Sequence, residues 1–495
     1  MRADESVAPA RRRFPTALSS ARAQAFATGL PLALLATLAL GVILRAFTIG
    51  AYRPAVMTNQ DTMGYVGAAS ERLFADAVRP AGYSFFLRIL HAVSSDLTFT
   101  IVVQHLLGIV SATLLYLTVR HVGGSRLVAV IPAAAVALSG DQISLEHAVL
   151  SEAPFTALLC AVAYASVRIL DSPRAWIWAI AAGGLLAGAA TVRTVAAPLI
   201  PLLALWIALA MPGARSIRLF AAGTSLLAAV AVLGTYSGFQ HRSEGTWNLW
   251  RSSGWGLYSR VAPFADCSDF TPPSGTRFLC ESNRPEERSG PDFYGWGGGP
   301  ARTAFGAPPA GNETLQRFAR AVVIHQPVAY TKTVAKDTLR YFVPSFGFDR
   351  ASSGSGPDLY LLDRRAGIYE SWVEDAVESY YQPFDLKVDP SAVRALTNYQ
   401  ELVRVHGIIL LQFFLVALVG LLYTAGKQRR ALIFLTAFGF LLLLVPAATT
   451  SYHARYAVPA EGIVAAAAAI GGAAILRRLQ RPAAPGELSS GNGRA

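Results

Sequence analysis

At 495 residues, 53% hydrophobic and only 15% charged, with a mean hydropathy of +0.39, the chain is too apolar for a soluble globular protein. Its net charge of +12 does not point to nucleic acid, because the cations punctuate apolar runs instead of forming a basic patch. The composition implies a multi-pass membrane protein.

The first run, "FATGLPLALLATLALGVIL" at 26–44, approaches the ~20 residues that cross a bilayer. Arg11, Arg12 and Arg13 precede it, so a cleaved signal peptide competes, but the length of the run and the spans that follow favour a retained helix. About ten spans are predicted, at 26–48, 97–119, 127–140, 149–167, 175–192, 195–213, 219–238, 407–426, 431–450 and 457–476. The one at 127–140 is short and contains a proline, which predicts a tilted or re-entrant helix. On this register Arg11–Arg13, Arg120, Arg126, Arg168, Arg174, Arg215, Arg218, Lys427, Arg429, Arg430, Arg477, Arg478 and Arg481 fall on one side, which the positive-inside rule makes cytoplasmic. The expected organisation is a cytoplasmic tail (1–25), a membrane core (26–238) with a first outer loop (49–96), an extracytoplasmic segment (239–406), C-terminal membrane helices (407–476) and a second cytoplasmic tail (477–495).

Within the first outer loop, Asp61 to Phe74 suits a helix with Asp61, Tyr65, Ala68 and Arg72 on one face. The corner Arg79-Pro80-Ala81-Gly82-Tyr83 breaks it. After that, Phe85, Phe86, Ile89, Leu90 and Val93 fit a helix lying on the membrane surface. Further along, "GDQISLEHAVLSEAPF" brings Asp141, Glu146, His147 and Glu152 to the opening of the fourth span. "TTSYHARYAVPAEG" brings His453, Arg455, Tyr456 and, deeper, Glu461 to the opening of the last. Ionisable groups at such depth are costly and usually face a partner or a cavity. Two readings stand here: mutual ion pairs that lock the bundle, with Asp61 a mere helix cap, or the walls of one pocket on the outer leaflet.

The segment at 239–406 is long enough for a small domain, though "GPDFYGWGGGPARTAFGAPPAGN" reads as irregular loop. Beyond it two helical patterns meet at Pro327. Of the three cysteines, Cys160 lies within a predicted span, while Cys267 and Cys280 share the outer segment, where oxidising conditions favour a disulfide. No cysteine or histidine cluster has metal-ligand spacing, and no cofactor is expected. A divalent metal finds no support in the spacing.

If the ionisable groups line one pocket, Asp61 has the chemistry to take a proton from an acceptor hydroxyl, and Arg455 or Arg79 to hold a phosphate leaving group. No Walker, Rossmann or serine-elbow motif is present. An active site outside the cell has no nucleotide sugars, so an activated donor must be one that reaches that face, such as a polyprenyl-phosphate sugar.

The stretches "NQDTMGYVGAASERLF" and "RPAGYSFFLRILH", then "LEHAVLSEAPFTALL", "GLLAGAATVRTVAAPLIPLLALW" and "HARYAVPAEGIVAAAAA", together resemble the GT-C superfamily of integral membrane glycosyltransferases. They are most similar to its bacterial branch of protein O-mannosyltransferase-like, aminoarabinose lipid A transferase-like and rhizobial lipopolysaccharide glycosyltransferase-like enzymes. The resemblance implies an all-α polytopic membrane fold of GT-C type with a juxtamembrane helical loop and a mixed, mostly helical extracytoplasmic segment. It makes Asp61 the expected catalytic base, Arg79 and Tyr83 supports of the loop, Glu152 a polar wall, and Arg455 with Tyr456 contacts of the donor phosphate. His453, Glu146 and His147 are candidates for the same pocket. The chain departs from the branch in three places. Only one carboxylate stands at Gln60-Asp61-Thr62, Ala81 replaces a usual proline, and Thr194 stands where a proline after Arg193 is usual.

The expected function is transfer of a sugar, with inversion, from a polyprenyl-phosphate donor to a glycan, lipid or protein acceptor at the outer face of the plasma membrane, in the cell envelope. Both termini are then cytoplasmic, and no nucleic acid takes part. The alternatives are a lipid or glycan transporter, or an O-antigen polymerase or ligase-like enzyme that uses His325 and Arg340 of the large outer segment.

Overall fold

The computed structural model describes residues 32–57, 59–343, 371–405 and 407–480. The tail at 1–25 with Arg11, Arg12 and Arg13, the start of the first run, His406 and Arg481 lie outside the described residues. The chain is helical almost throughout. In order, the elements are α1 (Leu32–Ala51), α2 (Asn59–Ser70), α3 (Gly82–Val93), α4 (Leu97–His121), α5 (Arg126–Ala137), α6 (Gly140–Glu146), α7 (Glu152–Ile169), α8 (Ala175–Val192), α9 (Leu199–Ala210) and α10 (Arg215–Glu244). Then come α11 (Ser253–Val261), α12 (Pro291–Gly295), α13 (Pro300–Phe305), α14 (Asn312–His325), α15 (Pro327–Arg340), α16 (Ser371–Glu378), α17 (Pro390–Leu402), α18 (Ile408–Gly420), α19 (Gly426–Thr449) and α20 (Val458–Leu479).

Seven of these, α1, α4, α7, α8, α10, α19 and α20, are long and apolar enough to cross a bilayer. The pair α5 and α6 passes that test together but bends by 49° at the break, with Ser139 capping the second piece through Gln142 N. The apolar stretch Thr194–Ala210 and helix α18 are shorter than a full span. The runs expected at 195–213 and 407–426 therefore exist as apolar helices, but shorter than their composition suggested. Met211–Gly213 and Leu421–Ala425 turn out of the helix, and Gly213 adopts the positive φ that ends it.

Small residues govern how the spans pack. Helix α20 carries "AAAAAIGGAA", packs against α18, α19 and α5, and is buried over most of its length, so it forms the centre of the bundle. At its crossing with α18 a Cβ on Gly420 would lie 2.3 Å from the Cα of Gly471, so only glycine permits the approach.

Outside the spans, a second apolar core forms around Trp255, Tyr258, Leu315, Phe318 and Val322, with the Cys267–Cys280 disulfide packed against it. Pro327 opens α15, as a residue lacking an N–H does at a first helical position. The large segment also returns to the first loop: Tyr52–Arg53 and Lys387–Val388 form a two-stranded antiparallel pair, Tyr52 opposite Val388. Nothing in the composition of those residues had marked them as strands.

Candidate active site

The first loop is shaped by its own side chains. Helix α2 stops at Ser70, four residues before the expected Phe74. Arg88 on α3 satisfies that end, its guanidinium donating to the carbonyls of Ala68, Ala69 and Glu71. The chain then runs irregularly to Pro80, held by Asp76 Oδ1, which accepts from the backbone N–H groups of Val78 and Arg79. Helix α3 follows, with Phe85, Ile89 and Val93 exposed along one face, whereas Leu90 of the expected surface set is buried. Gly82 sets the corner's position, because a Cβ there would stand 2.5 Å from Thr191 O at the end of α8. Gly82→Ala forces backbone apart and is expected to destabilise the protein by about 1–3 kcal/mol, read as a lower melting temperature of the purified protein.

The corner delivers Arg79 to Asp61. Arg79 Nη2 lies 2.7 Å and Nε 2.9 Å from Asp61 Oδ1, and its Nη1 is 3.0 Å from Asp76 Oδ2. Asp61 Oδ2 meets Arg455 Nη2 at 2.5 Å, from the 3-10 turn Ala454–Tyr456 that precedes α20. Glu152, first residue of α7, pairs with Arg193, and Arg455 Nε stands 3.6 Å from the same carboxylate. Tyr456 closes the group, its ring 4.9 Å from the Arg193 guanidinium and 5.6 Å from that of Arg455. Three guanidiniums and three carboxylates thus converge where α7 and α20 begin, where α8 ends, and where the first loop crosses above them.

Exposure divides the group. Asp61 is 24% and Arg455 18% exposed at their side chains, while Glu152 is at 2%, so a ligand meets the first two and not the third. Burial alone would raise the Asp61 carboxyl, but the charges of Arg455 and Arg79 outweigh it and hold the group far below the ordinary carboxylate range. A carboxyl lowered on folding stabilises the fold fully above its unfolded value, and that contribution is lost progressively as pH falls from there through the folded one. The difference in melting temperature between wild type and Asp61→Asn is therefore expected to stay flat from about pH 7 to about pH 4, where an ordinary aspartate begins to titrate. Behind Asp61, burial and the neighbouring aspartate push the Tyr65 hydroxyl up to about 12, so it serves as a hydrogen-bond donor, 2.9 Å from Ser151 Oγ.

The other expected residues are placed as follows. His453 packs its ring 5.3 Å from that of Tyr456, at the margin of the cluster. Tyr83 is fully buried under Tyr65 and donates to Gln104 Oε1 at 2.7 Å. Glu146 and His147 do not reach Asp61. Glu146 turns into the bundle, taking Arg45 Nε at 2.7 Å and His105 Nδ1 at 3.0 Å, while His147 lies between His105 and Tyr52 O. That knot still supports the site: Val56, leading to α2, pairs with the 147–149 strip through Val56 N to His147 O and Val149 N to Val56 O, both 3.0 Å. Asp141 binds Gln400 Nε2 at 2.8 Å and acts electrostatically on buried Glu461, apart from the cluster. His325 is exposed against Phe270, and Arg340 is buried with Asp337 and Tyr452, so the two do not form a site together. Among the described residues, no group of three or more His, Cys, Asp or Glu side chains could hold a metal ion.

Arg193, Asp76 and Asp292 belong to the region without having been singled out as site residues. Arg193 stood in the sequence as the lone charge of its turn. Asp292, on α12 of the large segment, is half-buried; burial raises its carboxyl, against the opposing charges of Arg455 and Arg260. Its sequence context, Gly- and Pro-rich, gave no signal.

Residues 78–237, which hold Arg79, Tyr83, Glu152 and Arg193, match the family described as dolichyl-phosphate-mannose-protein mannosyltransferase. No curated protein sequence matches the chain. Similar solved structures include the protein O-mannosyltransferase complex of S. cerevisiae bound to its sugar donor, 17% identical, covering 46% of this chain and 36% of that one at a TM-score of 0.34. They also include the oligosaccharyltransferase AglB of Archaeoglobus fulgidus with an inhibitory peptide and dolichol-phosphate, at 11% identity, 90% and 50% coverage and a TM-score of 0.45. A third is ArnT of Cupriavidus metallidurans bound to undecaprenyl phosphate, at 12% identity, 90% and 78% coverage and a TM-score of 0.34. The chain spans half or less of the length of the first two.

Proposed function

We propose that this chain, a membrane glycosyltransferase of the GT-C superfamily, transfers a sugar from a polyprenyl-phosphate donor to a hydroxyl of a glycan, lipid or protein acceptor on the extracytoplasmic side of the plasma membrane. The observation that carries the reading is the Asp61–Arg455 pair at 2.5 Å, a base and a phosphate-binding cation side by side and open to ligand. The donor phosphate takes its place against Arg455, which as a guanidinium binds phosphate oxygens through paired N–H donors. The acceptor hydroxyl enters on the opposite face of the sugar and gives its proton to Asp61. Its oxygen bonds to the anomeric carbon as the bond from that carbon to the phosphate oxygen breaks, and the electron pair stays with the phosphate. One displacement inverts the anomeric configuration. Arg455 stabilises charge where it develops, and the fixed arrangement of the two groups removes the entropy cost of assembling them. Arg79 keeps Asp61 aligned, and Arg193 with Tyr456 forms the wall next to the phosphate. The described part of the large segment meets the same end of the bundle, Arg260 and Tyr330 donating to Ala447 O and Ala448 O, which suits it to choosing the acceptor.

The test uses membranes containing the full chain and an undecaprenyl-phosphate sugar labelled in the ring. Label should pass into a product that survives the mild acid which cleaves the donor's phosphodiester. Label carried to the opposite leaflet with that linkage intact would instead support the transporter alternative.

A further inference from the structure

Arg455 is shared unequally between two carboxylates. Its Nη2 is 2.5 Å from Asp61 Oδ2, but its Nε is 3.6 Å from Glu152 Oε1, beyond a hydrogen bond. That Nε is buried and, among the described residues, donates to nothing; Glu152 Oε2 is equally buried and accepts from nothing. A buried guanidinium N–H and a buried carboxylate oxygen left without hydrogen-bond partners cost free energy, and native structures seldom carry such atoms without a use for them. Glu152 itself is fixed, because Arg193 holds its Oε1. One carboxylate oxygen and one guanidinium N–H thus remain available for a further charge-assisted hydrogen bond.

We propose, building on the transfer reaction above, that Glu152 is a positioning residue: it is the second seat of the Arg455 guanidinium, which leaves Asp61 when the donor phosphate arrives. Charge explains why Arg455 is the one to move. The resting cluster balances Arg79, Arg193 and Arg455 against Asp61, Asp76 and Glu152, so an incoming phosphate is an additional anion. Arg79 is tied to both Asp61 and Asp76, and Arg193 lies between Glu152 and the Tyr456 ring. Of these three guanidiniums, Arg455 combines access to ligand with a second carboxylate that it does not yet hydrogen-bond. Seated on Glu152 and the phosphate, it releases Asp61 to Arg79 only, and Asp61 becomes the stronger proton acceptor at the moment a donor is in place. The exchange makes or breaks no covalent bond. It imposes an order in which the donor binds first, and an acceptor hydroxyl arriving earlier meets a base that is still neutralised by two cations.

Peptide mass spectrometry of the full chain in lipid nanodiscs reads both partners at once, with undecaprenyl phosphate as the probe and undecaprenol as its uncharged control. Phenylglyoxal reports Arg455, and a water-soluble carbodiimide with an amine reports Asp61. Undecaprenyl phosphate should protect Arg455 and raise labelling of Asp61 roughly tenfold, the effect of removing one of two charge partners, while undecaprenol does neither. In Glu152→Gln the protection should remain and the rise at Asp61 shrink to about twofold or less, with Glu152→Asp restoring part of it. A wild-type protein in which Arg455 is protected but Asp61 labelling is unchanged or falls would overturn the second seat and leave the phosphate site standing. Loss of protection at Arg455 itself would overturn both. A full rise of about tenfold in a folded Glu152→Gln protein would likewise overturn the second seat, and Glu152→Asp supplies the comparison where Glu152→Gln fails to fold.

Discussion

Asp61→Asn is expected to lower sugar transfer by about 10²–10⁴-fold, the range contributed by a positioned proton acceptor, with little change in the amount of folded protein. The replacement keeps size and shape, so the contacts of α2 with the 147–149 strip, among them Thr62 Oγ1 to Val149 O at 3.3 Å, have no reason to change. What goes is the charge and the basicity. Arg79 retains Asp76 and Arg455 retains Glu152 nearby, so neither guanidinium is stranded, and a pair that is partly open to solvent contributes only about 1 kcal/mol or less to stability. The rate of product formation per folded molecule, with folded protein quantified by size exclusion in detergent, separates the two effects. A mutant with wild-type turnover would remove the assignment of Asp61 as base.

The second large effect lies inside the bundle. Glu146 is fully buried and takes both Arg45 Nε and Nη2, at 2.7 and 2.8 Å, together with His105 Nδ1 and Gln142 Nε2. Glu146→Ala strands the Arg45 guanidinium, which is 3% exposed, and is expected to cost about 3–5 kcal/mol. Replacing both members by methionine, Arg45→Met with Glu146→Met, should recover most of that loss, because the desolvation of both charges disappears with the pair. Thermal unfolding of the three proteins in detergent measures it. Transfer activity should fall with the single change as well, since the strip 147–149 anchors Val56 and Thr62 and so the approach to Asp61.

Much of this was legible in the chain. The apolar runs, the charge pattern between them and the corner "RPAGY" gave a helical membrane core with a shaped first loop, and the ordered motifs gave a GT-C likeness. That Asp61, Arg79, Glu152, Arg455 and Tyr456 share one end of the bundle was suggested by their predicted depth and by the family resemblance, with locking ion pairs the competing reading. What depth cannot supply is direction. Glu146 and His147 lie at the right level, but α6 is a short helix bent by 49° from α5, and it turns them inward to Arg45. Arg45 itself passed as part of an apolar span, because one cation in twenty residues barely alters a hydropathy window. Arg193 was visible only as a lone charge, and its pairing with Glu152 depends on how closely α7 and α8 pack, which small residues decide and periodicity does not report. The strand pair joining Tyr52 to Val388 spans more than three hundred residues of sequence, and no local signal marks such a partner.

If Asp61 and Arg455 act on one reacting group, a double-mutant cycle on the transfer rate finds their effects coupled. With Asp61→Asn, Arg455→Met and the two combined, strong non-additivity is expected, the double mutant falling to within a few-fold of the slower single mutant. Losses that multiply, as for residues acting independently, would contradict it.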